Sequence, residues 1–225
     1  MCGRYTLTDP DPRLLRFRFG LEESAEVEQP VRYNVAPTDT VLAIKTDKEG
    51  EREAGRLRWG LIPHYADPDS WDRLLINARA ETVAEAPAFR DAFDGFRCLV
   101  VADGFYEWRA TETGKQPLWI TRPDRSLFAF AGLWARSVGG DGSALHSCTI
   151  VTCDPSVVVR PIHDRMPVIL DEGSEADWLD LELGADDAMA LLRPTEDVVA
   201  TEVSEAVNSV REDGPHLLDP PLKLF

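Results

Sequence analysis

Short apolar and β-branched runs recur along the chain at Arg4 to Leu7, Val41 to Lys45, Leu57 to Leu61, Cys98 to Ala102, Phe105 to Trp108, Leu118 to Thr121, Leu127 to Trp134, Cys148 to Cys153 and Val168 to Leu170. Their length and residue types predict strands. Helical periodicity is confined to Pro12 to Phe19, Ala84 to Phe93, Glu175 to Leu181 and Asp186 to Leu192, the third opened by a cap-like Ser174 and the fourth by acids suited to a helix N-terminus. Strands that cluster without regular helical crossovers predict an α+β fold, with a curved, largely antiparallel, barrel-like sheet core and flanking helices. The segments Ser137 to Ser143 and Asp47 to Glu51 read as hairpin ends. With no repeat or low-complexity linker, residues 1–225 are expected to form one domain.

Composition narrows the setting. No apolar run approaches the roughly 20 residues that span a bilayer, and the start Met1-Cys2-Gly3-Arg4-Tyr5 lacks the basic and apolar regions of a signal peptide. A cytoplasmic protein without membrane contact is expected. Cys98, Cys148 and Cys153 lie in strand runs, where a buried inert thiol is the usual state, and the odd spacing of the last two predicts opposite strand faces. No metal site, disulfide or cofactor is expected.

The net charge of -16, from 40 acids against 24 basic residues, argues at first against a phosphate-binding surface. Only Lys45, Lys48, Lys115 and Lys223 are lysines. An acid-rich, lysine-poor composition is similar to that of halophilic proteins, in which negative charge maintains solubility, and so it says little about the ligand. A nucleic-acid groove would be a local basic patch on an acidic body.

Removal of Met1 would leave Cys2 with an amine and a thiol on adjacent carbons. Ordinary pKa values of about 7.7 to 8.0 and about 8.5 give each group a nucleophilic fraction near neutrality. An aldehyde meeting such a pair forms an imine with the amine, and sulfur then closes a thiazolidine ring. A second residue on a frayed terminus would carry no such meaning by itself. Here it heads a series: Cys2-Gly3-Arg4-Tyr5, Arg32-Tyr33-Asn34-Val35-Ala36-Pro37-Thr38, Arg58-Trp59-Gly60-Leu61-Ile62-Pro63, Asn77-Ala78-Arg79-Ala80-Glu81-Thr82, Gly104-Phe105-Tyr106-Glu107-Trp108 and Ile162-His163-Asp164-Arg165-Met166-Pro167. These motifs, in this order, closely resemble the SRAP (SOS-response-associated peptidase) family, from Cys2 to about Leu170, with a weaker echo at Val203-Ser204 and Val207-Asn208.

The resemblance implies a sensor of abasic sites in single-stranded DNA that crosslinks through Cys2, with lyase and self-processing thiol peptidase activity as further expectations. It implies acid/base roles for Glu107, set among aromatics where burial would raise its pKa, and for His163, which would hold or protonate the sugar oxygen. Asn77 could orient the Cys2 amine or the opened sugar, and Arg79, two residues on, would share its face and grip phosphate. Arg4 would bind phosphate beside Cys2. Asn34 and Pro37 resemble a loop that lines the pocket and wedges against bases, and Trp59, Tyr65 and Thr152 complete the expected DNA-binding set. Family members often place tryptophan where this chain has Tyr65 or Ala66, so base stacking would have a smaller surface here. His64, His146 and His216 are expected to be structural.

Abasic single-stranded DNA is thus the expected partner of a monomer, with replication-fork proteins as a further partner class. Two other classes stay open: a thiol peptidase with an N-terminal nucleophile acting beyond its own Met1, and a non-catalytic single-strand binding module that would keep its affinity without Cys2.

Overall fold

The structure, a computed structural model, describes residues 2–47, 49–112 and 114–221. Its strands are β1 (Tyr5–Leu7), β2 (Arg32–Val35), β3 (Thr40–Thr46), β4 (Arg52–Trp59), β5 (Asn77–Arg79), β6 (Arg97–Ala102), β7 (Gly104–Thr111), β8 (Gly114–Thr121), β9 (Phe128–Val138), β10 (Ala144–Cys153), β11 (Met166–Pro167), β12 (Ile169–Leu170) and β13 (Val199–Glu202). The helices are α1 (Pro12–Phe19), α2 (Arg90–Gly95), α3 (Glu172–Leu179) and α4 (Ala185–Ala190).

Strands β10, β4, β3, β6 and β9 are joined in that order, and β9 pairs back onto β10, closing a five-stranded mixed barrel. Closure leaves no free edge among these strands. Only the β10 to β4 pairing within this ring is parallel. A second, wholly antiparallel sheet runs β13-β8-β7-β1-β2. The expected α+β fold with a curved, largely antiparallel sheet is the one observed. One apolar cluster takes side chains from both sheets, including Tyr5, Phe105 and Phe130, whose rings meet edge to face.

Local chemistry explains several element ends. Helix α1 spans the predicted residues: Asp11 accepts from the backbone N–H groups of Arg13 and Leu14, and Gly20 closes it in the left-handed conformation. The helix expected from Ala84 begins only at Arg90, because Pro87 offers no N–H to an earlier turn. Helix α3 starts at Glu172, so Ser174 lies inside it and is not its cap. Both hairpin ends form, with Asp47 N–H donating to Glu51 O and Gly139 N–H to Ser143 O, each at 2.9 Å. Cys148 and Cys153 are both buried despite their odd spacing, because β10 is covered on both faces. Among the described residues no helix is long and apolar enough to cross a membrane.

Candidate functional site

The N-terminal segment reaches the interior because β1 is an inner strand, lying between β2 and β7 and pairing Tyr5 with Val35 and with Phe105. Cys2, just before it, is fully buried. The side-chain amide of Asn77 donates to the Cys2 carbonyl oxygen at 2.9 Å. Asn77 can reach it because β5 lies parallel to β10, matching Asn77 with Ile150 and Arg79 with Thr152. The other amide atom, Asn77 Oδ1, is buried and has no hydrogen-bond partner among the described residues.

Strand β7 supplies the carboxylate by alternation. Phe105 and Glu107 share one face, and Tyr106 and Trp108 the other, where their rings lie 6.5 Å apart. The Phe105 face packs on the main core, so Glu107 is carried inward and is only 2% exposed. Burial raises its carboxyl pKa, while the neighbouring His163 imidazole pulls the other way. The motif begins at Gly104 for a packing reason: a Cβ there would lie 2.2 Å from Trp119 Nε1, which donates to Thr6 Oγ1 at 3.0 Å.

Burial corrects one expectation. The Cys2 thiol was expected to have an ordinary pKa, but burial first, and the Glu107 charge second, push it far above the usual thiol range. With the chain continuing into Met1, the thiol remains protonated. Met1 itself, and therefore the expectation of its removal, lies outside the described residues.

In front of Glu107 opens a polar cleft of about 590 Å³ lined by Arg4, Glu107, Trp108, Lys115, His163 and Asn208, among others. The Arg4 guanidinium donates to Asn34 Oδ1 at 2.9 Å and to Val207 O at 2.7 Å, and lies 5.9 Å from the Trp108 ring centre. These hydrogen-bond partners are neutral and Arg4 makes no ion pair among the described residues, although Asp39 acts on its charge at longer range. By contrast, Arg32 is compensated by Asp39 and Asp213, and Arg165 by Glu81 and Asp154. Arg79 is exposed and makes no ion pair among the described residues.

The expected site residues therefore separate. Cys2, Asn77, Glu107, His163 and Arg4 converge, and Arg79 and the half-buried Pro37 are accessible. Trp59, Thr152 and Asn34, expected among the DNA-binding residues, are all buried in the free chain. Trp59 donates to Ile76 O at 2.9 Å and packs 5.4 Å from the Tyr5 ring, so it is a core residue. Thr152 Oγ1 donates to Ala78 O at 3.3 Å, tying β10 to β5. Asn34 donates to Ser209 O and Glu212 O while accepting from Arg4, so it braces a cleft arginine. Tyr65 is 59% exposed and lines a separate, apolar cavity of about 350 Å³ with Phe96 and Trp134. His64, His146 and His216 do not line the cleft.

Trp108, Lys115, Glu205 and Asn208 were not in the expected set, although they line the cleft. Asn208 carried a signal in the faint echo at Val207-Asn208: Val207 O and Asn208 O accept from Arg4, and Asn208 Oδ1 accepts from Trp108 Nε1 at 2.7 Å.

Residues 1–210 match the family described as SOS response associated peptidase (SRAP). The chain is 39% identical over 224 residues to the abasic site processing protein YoqW of Bacillus subtilis (strain 168), covering 97% of this chain and 99% of that protein. It is 36% identical over 220 residues to the abasic site processing protein HMCES of Xenopus tropicalis, covering 83% of this chain and 65% of that one. A crystal structure of a protein from Bacteroides thetaiotaomicron has a TM-score of 0.87 at 25% identity, covering 98% of this chain and 100% of the other.

Proposed function

Since the chain belongs to the SRAP family, and its relatives include abasic site processing proteins, we propose that it processes abasic sites in single-stranded DNA by covalent capture on Cys2. The observation that carries this reading is the grip of Asn77 on the Cys2 carbonyl, with Cys2 set against a buried Glu107 behind a cleft that holds His163 and Arg4, whose hydrogen-bond partners are neutral.

The chemistry follows from the groups present. Loss of Met1 frees the Cys2 amine, for which the buried Asn77 Oδ1 is an available acceptor. Opening of the sugar ring exposes the aldehyde, with His163 donating to the ring oxygen. The amine nitrogen adds to the aldehyde carbon and water leaves, giving an imine. The thiol then adds across the imine: sulfur bonds to carbon and its proton passes to nitrogen, with no net oxidation or reduction. A thiol that stays protonated until this step needs a nearby proton acceptor, and a carboxyl with a raised pKa can accept and return that proton. Arg4 and Arg79 would hold the flanking phosphates. Release of Met1 by the protein itself, and strand cleavage through the imine, belong to the same reading.

Intact mass of the purified protein, with and without a single-stranded abasic oligonucleotide, tests it. Capture predicts a chain starting at Cys2 and a heat-stable adduct at the mass of protein plus oligonucleotide less one water. Cys2→Ala should form no heat-stable adduct. A stable adduct at wild-type yield in that variant, or full retention of Met1 in crosslinked protein, would refute the mechanism. A peptidase acting on other chains predicts instead turnover of a peptide panel, and a purely non-covalent module predicts equal DNA affinity with and without Cys2.

A further inference from the structure

We propose that Glu81 is a positioning residue for His163, acting through Arg165 to hold the imidazole in the tautomer that carries its hydrogen on Nε2. The proposal deepens the capture reading above and rests on it.

Arg165 is held on several sides. Its Nη1 meets Glu81 Oε1 at 2.6 Å and Asp154 Oδ1 at 3.2 Å, while its Nη2 meets Glu81 Oε2 at 2.9 Å and Thr152 O at 2.6 Å. The paired geometry with Glu81 is the bidentate one, which fixes orientation as well as distance. The arginine side chain is 13% exposed, so this is not a loose surface pair. Glu81 sits in the turn Ala80–Thr82 directly after β5, and Thr152 lies near the end of β10. One side chain thus ties the His163 loop to the two strands that carry Asn77 and its support.

Holding Arg165 also holds its backbone, and the Arg165 N–H donates to His163 Nδ1 at 3.0 Å. A backbone amide can only donate. In the neutral ring Nδ1 must therefore be bare, which leaves the hydrogen on Nε2. Asp164 asks for the opposite arrangement, since its Oδ1 lies 3.0 Å from the same Nδ1 and would accept from an Nδ1–H. Its side chain is 89% exposed and solvated, so the amide prevails while the clamp keeps it in place. Without the clamp Asp164 gains the advantage. The ring then presents Nε2 as an acceptor, which cannot donate to a sugar oxygen.

Nitrogen chemical shifts of the His163 imidazole test the clamp without reference to DNA. Wild type should show one neutral tautomer, Nε2–H, and Glu81→Gln a mixture of both. Single-turnover capture of an abasic oligonucleotide tests its consequence. Glu81→Gln should slow capture by on the order of tenfold, as for loss of one charge-assisted hydrogen bond, yet produce no further slowing in a His163→Ala background. Unchanged tautomers in Glu81→Gln overturn the proposal, as does equal slowing in both backgrounds or a His163→Ala variant as fast as wild type. Absence of any adduct from wild type would instead remove the capture reading, and the nitrogen shifts would still decide the clamp.

Discussion

The side-chain amide of Asn77 donates to the carbonyl oxygen of Cys2 at 2.9 Å, joining a short strand on the barrel to the segment that begins the chain. This bond fixes Cys2 through its main chain, leaving its sulfur and nitrogen for chemistry. Replacing Asn77 by Ala removes a hydrogen bond worth about 1 kcal/mol and should slow single-turnover capture by about fivefold. A wild-type rate in folded Asn77→Ala would show that Cys2 is held by packing alone.

Glu107 should be separable from a structural residue by pH. Burial raises its pKa above the ordinary 4.5, so the native protein keeps a proton that the unfolded chain releases. The native state then binds more protons in the window from 4.5 up to the raised value, and stability falls as pH rises through it. Glu107→Gln lacks this loss. Its melting temperature should drop less than that of wild type between about pH 4 and pH 8, while capture slows on the order of 10²-fold or more. Its Cys2 thiol should become more acidic, because the Glu107 charge is one cause of the raised thiol pKa. Alkylation rates against pH would read this directly. Faster alkylation with slower capture separates the proton shuttle from simple thiolate supply.

Arginines in this acidic chain should differ according to their partners. Arg4→Ala and Arg79→Ala should each weaken binding of a single strand and reduce the slope of log affinity against log salt by about 0.7, the value for one phosphate contact. Arg32→Ala should leave the slope unchanged, since Asp39 and Asp213 already neutralise that residue. A salt titration of the three variants, in a Cys2→Ala background to keep binding reversible, would check the ranking. Equal slopes for all three would return Arg4 and Arg79 to ordinary surface charge.

Thr38 is the strained residue beside Pro37. Its φ of 80° lies in the left-handed region, at the third position of a turn closed by Asp39 N–H donating to Ala36 O at 3.1 Å. Such a turn favours glycine there, and a β-branched residue costs about 1–3 kcal/mol. Thr38→Gly should raise the melting temperature by about 2–4 °C, after the added entropy of the unfolded glycine is subtracted. Capture should slow as the presentation of Pro37 loosens. A lower melting temperature would mean that contacts of the Thr38 side chain outweigh the strain.

Periodicity and local signals along the chain already marked a run within each strand of the barrel, although β4 starts at Arg52, ahead of the expected Leu57, and they marked helix α1 and the ordered motifs carrying Cys2, Asn77, Glu107 and His163. These were legible because alternation, capping and turn chemistry act over a few residues. The motif string also identified residues of the right chemical type, but could not say which faced a ligand. Trp59 and Arg4 were both expected among the DNA-binding residues, yet closure of the barrel buries the first, while the second is braced by Asn34 and Val207 at the cleft. Burial and charge compensation depend on groups far apart in the chain: Arg4 meets Val207, Arg32 meets Asp213 and Arg165 meets Glu81. Only tertiary packing brings such groups together, and with them it decides the raised pKa values of Cys2 and Glu107 and which arginines keep a usable charge.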